Sequence, residues 1–289
     1  MTRSAGASTS VPRADAVAAA IAASVGGAAA AGQRRLEAAG VDSPRLDAEL
    51  LLAEALGVDR ARLVIDRDAP VPADAGARYE ALLTRRAGRE PVAYILGRRA
   101  FRHLTLTVDA RVLIPRPETE LLVEVGLTLP AGARVVDVGT GSGAVALALA
   151  EERPDLVVRG TDISADALAV ARGNAERLGL TVGFVATDLL DSEPADAVLA
   201  NLPYVPLEAP LAPEITRFEP PGALFAGADG LDVVRRLVGM LDAAVSLVAL
   251  EIGPEQAAEV AALVRAAGFD DVEVLADLAA RDRVVVGRR

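Results

Sequence analysis

A chain of 289 residues with 52% hydrophobic side chains can bury a large core, is long enough for two domains and is too apolar to stay disordered. Its 41 acidic residues outnumber 30 basic ones, all of them arginine, for a formal net charge of -11, so a nucleic acid held by its phosphates is a poor direct partner, although local basic patches stay possible. With no cysteine and a single histidine, disulfides, thiolate metal sites and nearly all imidazole chemistry are excluded, no metal is expected, and a reducing compartment is compatible.

Residues 1–14, rich in Ser, Ala and Thr, read as a flexible tail. The charge-free run over residues 16–33 is mostly alanine, too weakly apolar for a signal peptide or a membrane span, and Gly26 and Gly27 interrupt it. A soluble helix pair, or a helix and a turn, is expected there. Ser43 followed by Pro44 is an N-cap with proline at the first helical position; Leu46, Leu50 and Ala53, flanked by Leu51, line one side of a helix that stops at Gly57. Another helix covers residues 74–87 and closes at Gly88. Together these form a small helical domain over residues 15–89, suited to substrate recognition or to stability.

Residues 90–117 form a connector of different character. Residues 101–108 alternate as the strands of a hairpin, and His103 within it has no partner nearby in sequence for a metal site or a triad, so it reads as structural or surface. Pro115 and Pro117 forbid regular structure just before an amphipathic helix through Leu121, Leu122 and Val125. Arg116 and Glu118 on this rigid loop are well placed to line a pocket. The plainer reading is a helix start with Pro117 in its first turn and Glu118 and Glu120 favouring the dipole, and the two are compatible.

The stretch RVVDVGTGSGAVALALA, residues 134–150, passes from apolar run to glycine cluster to helix. Gly139, Gly141 and Gly143 let the backbone turn sharply and approach a ligand, and the helix after them opens with unpaired N–H groups. Thr140 and Ser142 complete this cofactor loop. A second strand ends at Asp162, about 20 residues further on, the usual distance for a carboxylate that grips a ribose diol. That pattern fits both NAD and S-adenosylmethionine; the alternative is that Asp162 only caps the helix from Ala165, where Ser164 serves better. Strands and helices then alternate: helix 165–178, strands 181–186 and 195–200, helix 231–241, strand 245–252 and helix 255–267. The fold class is α/β, a doubly wound, mostly parallel sheet over residues 118–289. Residues 272–275 and 283–286 lie too close for a crossover helix and read as a terminal antiparallel hairpin, an ending that separates methyltransferases from most dehydrogenases.

The strand 196–200 runs into Asn201-Leu202-Pro203-Tyr204, at the end of the sheet where the crevice of an open α/β fold lies. GTGSG, Asp162, IPRPETELLVE, NLPY, EIG at 251–253 and DLAARDRVV at 277–285 together resemble the HemK (PrmC) family, which methylates the glutamine side chain of peptide-chain release factors. IPRPETE with Asn-x-Pro-Tyr carries the resemblance, from about Leu36 to the C-terminus. It implies the S-adenosylmethionine-dependent methyltransferase fold, S-adenosylmethionine as cofactor on Gly139 to Gly143 and Asp162, with Asp188 and Leu189 along the adenine, and a release factor as protein substrate. It also implies that the Asn201 side-chain oxygen and the Leu202 carbonyl accept the two N–H bonds of the substrate amide, with Pro203 in the same motif and Tyr204 packed against the substrate. Neither a metal nor a general base is required. A cytoplasmic protein without membrane or direct nucleic-acid partners is expected, and a monomer, since no long apolar seam asks for a partner. Leu202 stands where the family usually has proline. That departure motivates a fold-retaining protein with reduced turnover as one alternative; an adenine amino-group methyltransferase and an NAD-dependent oxidoreductase are others.

Overall fold

The computed structural model describes residues 24–289. The flexible tail expected over residues 1–14, and residues 16–23 of the alanine run, lie outside the described residues. Two compact units divide the chain, Met1–Leu96 and Gly97–Arg289.

In the first unit, α1 (Val25–Ala38) begins at Ser24, whose hydroxyl accepts from the Gly27 N–H at 3.2 Å. Gly26 and Gly27 therefore sit inside its first turn, where a break was expected. The reason is close approach: the Val25 and Gly26 N–H groups donate to the Ala69 and Arg67 carbonyls at 2.9 and 2.8 Å, and a Cβ on Gly26 would lie 2.7 Å from Arg67 Cγ. Helix α2 (Pro44–Leu56) ends at Gly57 with φ +68°, as expected, but its buried stripe is Asp47, Ala48, Leu51, Leu52 and Ala55, together with Ala53. Leu46 is exposed instead. The face is rotated because Asp47 turns inward to pair with Arg86 at 2.7 Å, a buried partner invisible to a count of apolar residues. Helices α3 (Arg62–Ile65), α4 (Ala73–Ala87) and α5 (Val92–Leu96) complete the unit around Leu36, Leu51, Tyr79, Leu83 and Ile95. Ile95 belongs to this core, so residues 90–96 join the first unit; the separate connector 90–117 does not exist as such.

The second unit opens with a hairpin, β1 (Arg98–Phe101) and β2 (Leu104–Thr107), whose first strand starts three residues before the expected span 101–108, with His103 exposed at its turn. A 3-10 turn, Pro117–Thr119, leads into α6 (Glu120–Leu127). Then follow β3 (Arg134–Val138), α7 (Ala144–Glu152), β4 (Val157–Asp162), α8 (Ala165–Leu178), β5 (Gly183–Ala186), β6 (Ala197–Ala200), α9 (Pro213–Phe218), α10 (Asp232–Met240), β7 (Leu247–Glu251), α11 (Ala257–Ala266), β8 (Asp271–Ala276) and β9 (Asp282–Arg288). The seven strands lie in the order β5-β4-β3-β6-β7-β9-β8, with β3 to β7 parallel and β9 antiparallel to both neighbours. This is the doubly wound sheet with its terminal antiparallel hairpin.

Both faces are covered, which is why the parallel strands read as unbroken apolar runs. Val135, Leu199 and Ala249 face α6 and α7, while Val136, Val198 and Val248 face α10 and α11. Ala144 to Leu149 are all buried, so α7 needs no polar stripe. Among the described residues no helix is long and apolar enough to cross a membrane. Because the five strands run the same way, the segments after β3, β4, β5, β6 and β7 emerge along one edge. The order reverses between β3 and β6, paired Val138 to Ala200, so the glycine loop and Asn201 leave the sheet side by side at its switch point.

Candidate active site

The glycine loop is tied down from beneath. Gly139, Gly141 and Gly143 have φ of +70°, +55° and +83°, conformations that a side chain would strain. Asp137, buried below them, accepts from the Thr140 hydroxyl at 2.6 Å and from the Ala146 N–H at 3.1 Å. Burial nonetheless pushes its carboxyl up to about 6. Thr140 N–H donates to the Thr161 carbonyl at 2.9 Å, fastening the loop to β4. Asp162 links two loops: one oxygen accepts from Gly141 N–H at 3.0 Å, the other from Ser164 N–H at 2.8 Å. The cap of α8 is Ser164, whose hydroxyl accepts from Ala167 N–H at 3.1 Å, so Asp162 is left to face the crevice.

Asp188 and Leu189 follow β5. Leu189 has φ +72°, costly for a branched side chain, and its carbonyl is held by the Thr161 hydroxyl at 2.7 Å. The Asp188 carboxylate pairs with Arg236. These segments enclose a cavity of about 520 Å³, within the range of small-molecule sites, lined by Gly139, Thr140, Gly141, Ser142, Asp162, Asp188, Leu189, Asn201, Leu202 and Pro203 among others.

Four expected site residues do not line it. A Cβ on Gly143 would meet Leu147 Cδ1 at 2.9 Å and Ala171 Cβ at 3.3 Å, so this glycine serves helix packing. Arg116 donates to Glu219 at 2.5 Å, and the other oxygen of that buried carboxylate accepts from Ile114 N–H at 3.2 Å, which clamps the two-proline loop. Glu118 faces Arg281 at 3.5 Å. The Tyr204 carbonyl accepts from Gln256 Nε2 at 3.0 Å, and burial beside Glu251 pushes the phenol up to about 12.

Asn201 Nδ2 donates to Thr119 Oγ1 at 3.0 Å. Burial pushes the Glu251 carboxyl up to about 7, opposed by the nearby Thr119 hydroxyl; Glu118 adds to the rise, while Arg283 and Arg116 oppose it. Leu202 is buried, with Cδ2 3.1 Å from where a Gly139 Cβ would stand, so it packs on the glycine loop. The sequence reading assigned no role to Asp137, Thr119, Glu219, Glu251 or Arg236. Thr119 and Glu251 lay within its own motifs, and a carboxylate in an apolar strand, as at Asp137 and Glu251, was the signal available.

The buried Glu251 gives a pH dependence with a definite sign. In the unfolded chain a glutamate ionises near ~4.3. Below that value both states carry the proton; as pH rises the unfolded state ionises first, so stability falls until the folded carboxyl ionises near about 7. Asp137 acts in the same direction. Melting temperature is expected to fall between pH 5 and pH 8, and Glu251→Gln to remove part of that fall. Equal slopes for the two proteins would contradict the assignment.

A glycine loop and a polar pair of strand ends at one switch point suit many enzymes, and comparison with known proteins narrows the choice. Residues 28–97 match the model of the PrmC N-terminal domain, and residues 117–211 that of the methyltransferase small domain. The release factor glutamine methyltransferase of Rhodospirillum rubrum is 40% identical over 271 residues, which cover 89% of this chain and 83% of that protein. That of Xylella fastidiosa is 45% identical over 255 residues, 84% of this chain and 93% of that protein. The solved hMettl16 catalytic domain, in complex with a 3′UTR hairpin, matches at a TM-score of 0.53 and 18% identity over 72% of this chain and 81% of that one, a likeness of fold alone. Identity of this order over nearly the full length, through both the helical unit and the NLPY-bearing sheet, means that the chain belongs to the release factor glutamine methyltransferase family.

Proposed function

We propose that this enzyme transfers a methyl group from S-adenosylmethionine to the side-chain amide nitrogen of the glutamine in the Gly-Gly-Gln motif of a peptide-chain release factor. The observation that carries the reading is Asn201, set beside the glycine loop at the switch point with its carboxamide nitrogen already engaged by Thr119. The cavity fits the cofactor: about 520 Å³, a loop of positive-φ glycines on one side, and Asp162 oxygens that each hold one N–H and keep lone pairs for a diol. Gly139 to Ser142 would hold its amino-acid end, Asp162 its ribose, and Asp188 with Leu189 its adenine. When bound, S-adenosylmethionine supplies an electrophilic sulfonium methyl.

The chain's own residues supply position. An amide nitrogen is a poor nucleophile because its lone pair is delocalised into the carbonyl. Asn201 Oδ1 and the Leu202 carbonyl accept its two N–H bonds and hold the nitrogen in line, and orientation of this kind is worth ~7 to 11 kcal/mol of a barrier. Pro203 keeps Leu202 extended, and Tyr204, half-buried outside the cavity, packs against the incoming peptide. Arg116 and Glu118 act indirectly, by setting the loop that carries Thr119. The helical unit recognises the body of the release factor. An adenine amino group would satisfy the same two acceptors, but a charge of -11 disfavours a nucleic acid. Methyl transfer to a release factor, with an oligonucleotide as the rival acceptor, tests the reading.

Leu202→Pro separates carbonyl from side chain. If the carbonyl is what the substrate uses, the change is expected to leave turnover within about threefold, because proline presets φ near -65° and keeps the acceptor. Stability should drop by about 1 kcal/mol for the lost packing on Gly139. Abolished methylation with the cofactor still bound would mean that the leucine side chain or N–H has been recruited.

A further inference from the structure

A backbone carbonyl aims a substrate only if its own peptide plane is held, so Asn201-Leu202-Pro203-Tyr204 has to be fixed at both ends. At the first end Asn201 Nδ2 bonds Thr119 and the Leu202 side chain packs on Gly139. Among the described residues no hydrogen bond reaches the backbone of Leu202 or Pro203. The next bonds fall on the peptide unit that joins Tyr204 to Val205, and they grip it from both sides. Val205 N–H donates to the Leu224 carbonyl at 2.9 Å, and the Tyr204 carbonyl accepts from Gln256 Nε2 at 3.0 Å. One bond would let this unit swing; two opposed bonds set its plane.

Gln256 is fully committed to the task. Its Nε2 also donates to the Asp229 carbonyl at 3.1 Å, and its Oε1 accepts from Gly253 N–H at 2.8 Å. A carbonyl can only accept and a backbone N–H can only donate, so these three partners leave the amide one orientation. Helix capping does not explain the side chain. Gln256 occupies the N-cap of α11, where Ser, Thr, Asn or Asp would bond the helix's own N–H, yet it makes no such bond and reaches instead to segments outside the helix. Those segments come close by design: Gly230 has φ +79°, and a Cβ on it would collide with the Tyr204 carbonyl. A Cβ on Gly253 would stand 3.7 Å from Tyr204 Cδ2, so the turn that carries Gln256 also lies along the tyrosine ring.

We propose that Gln256 is a positioning residue for methyl transfer, holding the Tyr204 end of the motif so that the Leu202 carbonyl keeps its angle to the substrate amide. Proline fixes its own φ, so only the ψ of Pro203 and the torsions of Tyr204 separate the gripped plane from that carbonyl. The assignment rests on the reading of Asn201 and the Leu202 carbonyl as acceptors of the substrate amide.

The test is steady-state methylation of a release factor by the full-length enzyme and its variants, with a melting curve and a cofactor titration for each, and with kcat expressed per cofactor-binding site. In Gln256→Ala kcat is expected to fall ~10- to 100-fold, the scale of a reacting group displaced by about 1 Å, while cofactor affinity stays within about twofold. A role confined to holding α11 would lower the melting temperature and leave kcat per site unchanged. Should Gln256→Ala not fold, Gln256→Glu keeps the length and the acceptor for Gly253 N–H but turns an oxygen toward the Tyr204 and Asp229 carbonyls; at neutral pH it should lose at least as much kcat. Parental kcat per site in either variant, or a loss that appears only in cofactor affinity, would overturn the assignment. If Asn201→Ala itself keeps parental turnover, the clamp reading fails and Gln256 has nothing to position; a slow Asn201→Ala beside a fast Gln256→Ala rejects the role of Gln256 alone.

Discussion

Asn201→Ala is expected to lower turnover by about 100-fold or more, the scale of losing one positioned polar group from a reaction centre. The side chain stands at the end of β6, and its removal leaves β3, β4 and the glycine loop with their own bonds: Asp137 to Thr140, Asp162 to Gly141 and Thr161 to Leu189. Cofactor affinity should therefore change little. The loss should fall in kcat, since the interaction is needed to aim the amide nitrogen more than to hold the peptide. Single-turnover methylation, with cofactor affinity measured beside it, checks both halves. Turnover within a few-fold of the parent would remove Asn201 from the reaction.

Asp162→Ala is the second large effect, and it should appear in binding. A carboxylate that accepts from a diol loses charge-assisted hydrogen bonds when truncated, costing about 1.5 to 3 kcal/mol, or roughly 10- to 100-fold in affinity. The side chain also joins Gly141 N–H to Ser164 N–H, so truncation loosens the walls as well as the contact. Asp162→Asn keeps an acceptor oxygen and is expected to lose less. Calorimetric titration with S-adenosylmethionine measures both variants; unchanged affinity in Asp162→Ala would reject the assignment.

The architecture was legible where local chemistry and tertiary packing agree. The helix from Ser164 to Gly179 has a hydroxyl cap and a left-handed glycine at its ends, and both are written in the sequence. The parallel strands announce themselves because both faces of the sheet are buried. Legibility failed where a polar group is buried with a distant partner. Asp47 turns the face of α2 toward Arg86, 39 positions away. Glu219 clamps Arg116 across 103 positions, which takes the arginine off the cavity wall that it was expected to line. The glycines divide in the same way. Gly139 and Gly141 line the cavity as their pattern suggests, while Gly143, identical in that pattern, packs against Leu147 and Ala171. Segment 205–230 carried no periodicity to read: an isolated bridge from Val205 to Phe225, a short helix and the Glu219 clamp shape it.

The most direct measurement is where the methyl goes. The purified protein, given methyl-labelled S-adenosylmethionine and in separate reactions an intact release factor and an adenine-containing oligonucleotide, should label only the release factor. Mass spectrometry of the digested factor should then find one added methyl on the glutamine of its Gly-Gly-Gln motif, and none when that glutamine is replaced. Label on the oligonucleotide, label elsewhere on the factor, or none on either acceptor with the cofactor bound, would contradict the account.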